Sequence, residues 1–259
     1  MRVTVCETTH EPTEVERCWA TLREHTAQQR SDLVLLPEFA FLAPPWVRPV
    51  FDAAHWLELV EQAHAWVARL PELSCDWVVG AYPAGDADHA CNQGFLWSRA
   101  AGHQALRRKA DLPDEPGFFE ARWFAPGPRE FPAFTAGPLT FGLNVCTELW
   151  ALESVCAYPA LGVQAVLTPR ATELWTTDLW VALARTVAVR SGAFSVSSNR
   201  RHADGSCGGA GWIIDPEGVE LARTSLSEPF VTREIDLSRV AAARATYPRY
   251  VFADGHKQG

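Results

Sequence analysis

No apolar run in this 259-residue chain approaches the roughly 20 residues that cross a bilayer. A basic surplus is missing too. Net charge is −8 and the pI is near 5.5, which argues against nucleic acid or an anionic membrane as a partner, since both select a positive footprint. There is no CxxC, HxxxH or HExxH spacing, so a metal site is not expected. The seven cysteines are odd in number, which opposes a disulfide framework and leaves most of them as small buried hydrophobes. The opening MRVTVCETTH lacks the apolar stretch and cleavage site of a secretory leader and reads as a first strand. The expectation is a cytoplasmic protein. Internal repeats, low-complexity tracts and linkers are absent as well. With 47% hydrophobic and 21% charged residues, the composition is that of a soluble globular protein. One domain over 1–259 is expected, with a tail from about residue 245.

What is present is an alternation of elements. RVTVCE is β-rich and opens the chain. Thr13 and Glu16 fit a capping box ahead of a helix to about Gln29. DLVLLPE is a continuous apolar run, the mark of a strand buried on both faces. Asp52 can cap a second helix, with Trp56, Val60, Ala63, Val67 and Leu70 on one side. The strands DWVVGAYP and CNQGFLWS follow, and ALRRKADLP leads a further strand into a Pro- and Gly-rich loop from Leu112 to Pro132. The order then restarts. LTFGLNVC is a strand, ELWALESVCAYPAL a helix, VQAVLTP a strand, and Thr176 or Thr177 begins another helix. AFSVSSN, a hairpin around Asp215–Gly218 and FVTREID complete the chain. Such alternation predicts an α/β fold with sheets covered by helices, and two similar halves could pack as a four-layer αββα sandwich.

Three residue types with chemical potential stand at strand ends, where α/β sheets gather their sites. Glu38 follows an apolar strand. It is either a carboxylate turned to water or a desolvated base. Lys109 follows Arg107 and Arg108, and is either part of a solvated basic edge or an ammonium held for an oxyanion. Cys146 lies where a strand gives way to a helix. It is either core filling or a nucleophile whose thiolate the helix N-terminus favours, with the Thr147 N–H available to an oxyanion. None of the eight histidines follows a buried strand as a thiol's partner would; His202 comes nearest.

Taken together, Glu38 in LVLLPEF, Lys109 in LRRKADLP and Cys146 in FGLNVCTELW resemble the nitrilase, or carbon–nitrogen hydrolase, superfamily over almost the whole chain. The loop LPDEPGFFEARWFAPG is similar to that of the N-carbamoylputrescine amidase branch, and GGAGWIIDPEGVELA to a late hairpin of these enzymes. The resemblance implies the αββα sandwich and a Glu38–Lys109–Cys146 triad, with Glu120 as a second active-site glutamate. It also implies thioester chemistry without cofactor or metal, and at least a homodimer paired through the helix after the cysteine. The sequence departs from the family pattern at Thr147, where an aromatic is common, at Trp150, where Arg is frequent, and at Leu152, where Pro is usual. Thr147 disfavours nitrile hydrolysis, and the lost Arg disfavours a carboxylate-bearing substrate. Arg170, Glu173 and Trp175, in TPRATELWTT, are expected to face a small-molecule substrate together with Thr147 and Trp150. Trp46 and Trp123 are expected in or beside the same loops, giving an apolar acyl pocket. The leading expectation is an amidase acting on a small linear amide or carbamoyl compound. The alternatives are a nitrilase, or a non-catalytic binding module on the same fold.

Overall fold

In the computed structural model, which describes residues 1–253, the apolar runs become central strands with both faces buried. These are β1 (Arg2–Thr8), β2 (Leu33–Glu38) and β3 (Trp77–Ala84) in the first half. They run parallel and are extended antiparallel by β4 (Cys91–Ser98) and β5 (Gly102–Arg108). The second half opens with β6 (Ala133–Ala136), a short strand not anticipated in the sequence, paired antiparallel with β7 (Leu139–Leu143). It continues in parallel through β8 (Ala165–Pro169) and β9 (Phe194–Arg200). The hairpin of β10 (Trp212–Ile214) and β11 (Glu220–Arg223) closes that side on β9. The last strand, β12 (Phe230–Glu234), returns to pair antiparallel with β1. The two sheets are joined in strand pairing through Glu7 opposite Asn199 and Thr8 opposite Arg200, giving one curled surface.

Strand alternation sorts the side chains into layers. Val3, Val5, Leu33 and Leu35 meet Leu143, Leu167, Phe194 and Val196 between the sheets. Val34, Leu36 and Val78 point the other way, against α1 (Val15–Gln29) and α2 (Ala53–Ala68). Over the second sheet, Val166, Trp212 and Ile214 pack on later helices through Val155, Val181, Ala184 and Val187. The result is the four-layer αββα sandwich.

Local signals fared unevenly. Asp52 caps α2 by accepting from the His55 N–H at 3.1 Å. Thr13 forms no capping box: α1 begins after Glu14 without a side-chain cap. A four-residue helix, α3 (Glu120–Trp123), interrupts the long central loop. The helix expected from Cys146 is instead a 3₁₀ turn, Cys146–Trp150, followed by the short α4 (Leu152–Ala157). The break has a cause. The Glu148 carbonyl accepts from Ala151 N–H and from Asn144 Nδ2, so it is not free to accept from residue 152. α5 (Thr177–Ser191) covers the second sheet, and α6 (Ser238–Arg244) and α7 (Tyr250–Ala253) end the described chain. The end of the tail, residues 254–259, lies outside the described residues.

Candidate active site

Each chemical group sits just past a strand, where the chain leaves the sheet. Glu38 ends β2, and Lys109 follows β5 with its N–H bonded to the Asn92 carbonyl at 2.9 Å. Cys146 follows β7 after two residues and holds a left-handed backbone, φ 50°. A positive φ at a non-glycine residue is strained and persists only where surroundings enforce it, commonly at active sites. Glu120, from the loop, opens α3 and turns its carboxylate inward.

The side chains converge in the interior. Lys109 Nζ donates to Glu38 Oε1 at 3.0 Å and to the two oxygens of Glu120 at 2.8 and 2.7 Å. Glu38 and Lys109 are 0% exposed, Glu120 1% and Cys146 4%. Burial works against the Lys109 charge, but the Glu120 and Glu38 carboxylates outweigh it and push the ammonium above its ordinary range. Burial raises the Glu120 carboxyl to about 8, against the pull of Lys109. The Cys146 thiol is also pushed up, first by burial and then by Glu38, with Lys109 opposing. Burial and the Glu38 carboxylate thus favour the thiol over the thiolate. Only a 3₁₀ turn starts at Cys146, in place of the helix whose N-terminus would favour the thiolate.

Glu38 has one engaged and one open oxygen. Oε1 accepts from Asn92 Nδ2 at 2.6 Å and from Lys109, while Oε2 is buried with no partner among the described residues. A buried carboxylate oxygen left open in this way is ready to accept a proton from a neighbouring group.

Above the thiol lies a pocket of about 220 Å³. Thr147 and Trp150 line it, as the sequence suggests, together with Glu173, Thr176 and Trp180. Arg170 does not reach it. Its guanidinium is buried behind the site, donating to Ser197 Oγ, Thr172 Oγ1 and the Ala210 carbonyl, and lying 4.0 Å over the Trp212 ring. Trp175 is 67% exposed and outside the pocket. The 3₁₀ turn Leu174–Thr176 puts Glu173 and Thr176 on the pocket side, three residues apart and eclipsed, and sends Leu174 and Trp175 outward. Trp46 and Trp123 belong to a buried aromatic cluster with Phe39, Trp56 and Phe124 rather than to the pocket wall.

Three supporting residues escaped the sequence reading. Asn92, buried near the start of β4, holds Glu38 through its Nδ2. Arg107, read as part of a solvated edge, is buried and ion-paired to Glu148. Glu148 Oε1 also accepts from the Ala110 N–H at 2.7 Å, and Oε2 from the Val145 N–H at 2.8 Å. One carboxylate thus ties the residue after Lys109 to the residue before Cys146. His202 is held away from the thiol by Glu11 at 2.5 Å and Asp204 at 2.6 Å. Among the described residues no helix is long and apolar enough to cross a membrane.

An αββα sandwich that gathers a thiol, an ammonium and two carboxylates beside its strand ends is a nitrilase-type α/β architecture. The chain belongs to the carbon–nitrogen hydrolase family, whose model matches residues 2–245. Its fold is similar to that of a carbon–nitrogen hydrolase from Helicobacter pylori G27, with a TM-score of 0.84, 18% identity, and 97% of this chain and 94% of the other covered. It is also similar to an amidase from Nesterenkonia sp., with a TM-score of 0.76, 20% identity, and 93% and 92% covered. A stretch of 66 residues is 35% identical to the N-carbamoylputrescine amidase of Oryza sativa subsp. japonica, spanning 26% of this chain and 22% of the rice protein.

Proposed function

We propose that the protein hydrolyses the C–N bond of a small linear amide or carbamoyl compound through a thioester on Cys146. The observation that carries this is the buried cluster in which Lys109 bridges Glu38 and Glu120 while Glu38 Oε2 stays open. As Sγ attacks the carbonyl carbon, the thiol proton passes to Glu38. The carbonyl π pair moves to oxygen, where one Lys109 N–H and the Thr147 N–H receive the oxyanion. Nζ donates to Glu38 and to both oxygens of Glu120, so the N–H for the oxyanion is turned from one of the two Glu120 contacts, leaving one for each carboxylate. Collapse of the intermediate breaks the C–N bond, and the proton on Glu38 goes to the departing nitrogen. Water then gives a proton to Glu38 and attacks the thioester, and the proton returns to the thiolate as the acid leaves. Glu120 holds Lys109 in place throughout.

The Nesterenkonia amidase has been solved with butyramide. A short acyl chain of that size suits the pocket above Cys146 in this protein. Thr147 beside the nucleophile favours amides over nitriles. The test is an ammonia-release screen over short amides, carbamoyl compounds and nitriles, with intact-mass measurement of the Glu38→Ala variant on a slow substrate. The expected result is release from amides and an acyl-sized mass increase on the peptide carrying Cys146. Turnover by the Cys146→Ala variant at the wild-type rate would sink the proposal.

A further inference from the structure

Cys146 holds its left-handed backbone between two buried polar residues, Asn144 and Glu148. Asn144 is 0% exposed, and every polar atom of its side chain is engaged. Nδ2 donates to the Glu148 carbonyl at 2.7 Å and to Ser154 Oγ at 2.8 Å, and Oδ1 accepts from the Tyr158 hydroxyl at 2.5 Å. A carbonyl only accepts, so the bond to Glu148 fixes which way the amide faces. Ser154 Oγ in turn donates to the Ala151 carbonyl at 2.8 Å.

The bond from Asn144 to the Glu148 carbonyl closes a ring around Val145, Cys146 and Thr147. It is a staple across the nucleophile, made by a side chain that does not line the pocket. Both of its supports are fixed. The Asn144 N–H donates to the Leu167 carbonyl on β8 at 3.1 Å. Tyr158 is fully buried, and its ring lies against Gly142 on β7, where a Cβ would stand 2.3 Å from the ring Cζ. The strand therefore carries a glycine where the tyrosine passes, two residues before the asparagine that the tyrosine holds. Within the staple, the Thr147 N–H has no partner among the described residues.

Resting on the amidase reading above, we infer that Asn144 is a positioning residue for the reaction: it keeps Cys146 in the left-handed conformation that presents Sγ and the Thr147 N–H to one carbonyl group. The staple works against a competing helix. Once released, the Glu148 carbonyl could accept from the Leu152 N–H, and the 3₁₀ turn would run into α4 as one α-helix from Cys146. Residue 146 would then take a φ of about −63°, and the aim of Sγ and of the following N–H would change together.

The test is Asn144→Leu, which keeps the γ-branched shape and has no hydrogen-bonding atoms. Asn144→Ser, polar but too short to span to the Glu148 carbonyl, carries the same test where the leucine variant does not fold. Crystal structures are expected to show residue 146 leaving the left-handed region in the variant. With a short amide, kcat is expected to fall on the order of 10²-fold, the cost of a misplacement near 1 Å. KM is expected to move little, because the pocket wall is untouched. A merely structural residue would lower stability and leave the kcat of the folded protein unchanged. A third measurement does not need turnover: the rate of iodoacetamide alkylation at Cys146, divided by that at the exposed Cys156, is expected to fall in the variant. If the wild type turns over no amide, but residue 146 changes conformation and its alkylation slows, the positioning role stands and the amidase reading falls. If amides are hydrolysed and the variant keeps wild-type kcat, or keeps residue 146 left-handed, the inference is overturned and the amidase reading stays intact.

Discussion

Surroundings that favour the Cys146 thiol over its thiolate are the residue-level feature from which the proposed chemistry starts. Cys146 is pushed up by burial and by Glu38, and Lys109 is already committed to two carboxylates. The expected outcome is that Cys146→Ala leaves the thiolate absorbance near 240 nm unchanged at pH 8. A loss of absorbance equal to one thiolate would show an ion pair at rest instead. Lys109→Ala is expected to lower kcat on the order of 10²–10³, the effect of removing an oxyanion donor, and wild-type kinetics would remove Lys109 from the reaction. Each of these residues stands at or shortly after a strand end, and singly each has a bland reading; only Glu38, Lys109 and Cys146 together resemble the family's triad. Arg170 and Trp175 occupy similar ground in the sequence, but their directions depend on which face the local backbone presents. That is set by Ser197, Ala210 and the 3₁₀ turn, all distant or local in ways that spacing does not reveal.

His10 gives a residue-level pH dependence. Its Nδ1 accepts from Arg200 Nη2 at 2.5 Å. Burial, then the Arg200 charge, lowers its pKa from 6.5 to about 4. A histidine whose folded value is depressed binds fewer protons folded than unfolded as pH falls. The stability linked to its neutral form is therefore whole above about 6.5 and is lost progressively as pH falls toward 4. In His10→Gln, where the amide oxygen keeps accepting from Arg200, the decline in urea midpoint between pH 7 and pH 4.5 is expected to be shallower than in the wild type. Parallel declines would mean that His10 is not the titrating group.

Among elements, the decisive joint is between β5 and the turn after β7. Glu148 accepts from Arg107, from the N–H after Lys109 and from the N–H before Cys146, all in the interior. The sequence shows an acid two residues after the cysteine, but two of its partners, Arg107 and the Ala110 N–H, lie some 40 residues away in the chain, so its role could not be read locally. The expected helix became a 3₁₀ turn because the Glu148 carbonyl is taken by the Ala151 N–H and Asn144 Nδ2. Glu148→Gln removes the charge while keeping most of the shape, and leaves Arg107 buried without its counter-ion. Breaking a buried pair in this way destabilises by about 3–5 kcal/mol. The expected outcome is a fall in unfolding free energy of that size, read from urea titration, together with a fall in kcat that the ammonia assay reads. Unchanged stability would mean that Arg107 finds other acceptors, such as the Glu130 and Leu143 carbonyls it already touches.

At the scale of the whole molecule, the alternation of apolar strands and amphipathic helices made the αββα plan readable. The join of the two sheets through β1 and β9 was not, because pairing between distant strands leaves no local signature. We propose that the chain pairs through a face the layers leave uncovered. In ELWALESVCAYPAL, Leu149, Val155 and Tyr158 are buried against the second sheet and α5, and Tyr158 donates to Asn144 Oδ1 at 2.5 Å. Tyr158 is therefore core rather than interface. Trp150 and Leu152 are half exposed, Leu179 on the adjoining α5 is 62% exposed, and Cys156 is also outside. One helical stripe covers the sheet, and these residues form a second that nothing among the described residues covers. A two-fold related copy would bury it in an isologous contact, and since Trp150 also lines the pocket, pairing would close the mouth above Cys146. Leu152→Asp with Leu179→Asp places charge on that face without touching the catalytic cluster. The expected outcome is that light scattering moves the protein from dimer to monomer, with a rise in KM as the pocket opens. A wild-type protein that is monomeric at micromolar concentration and fully active would refute the coupling between assembly and site.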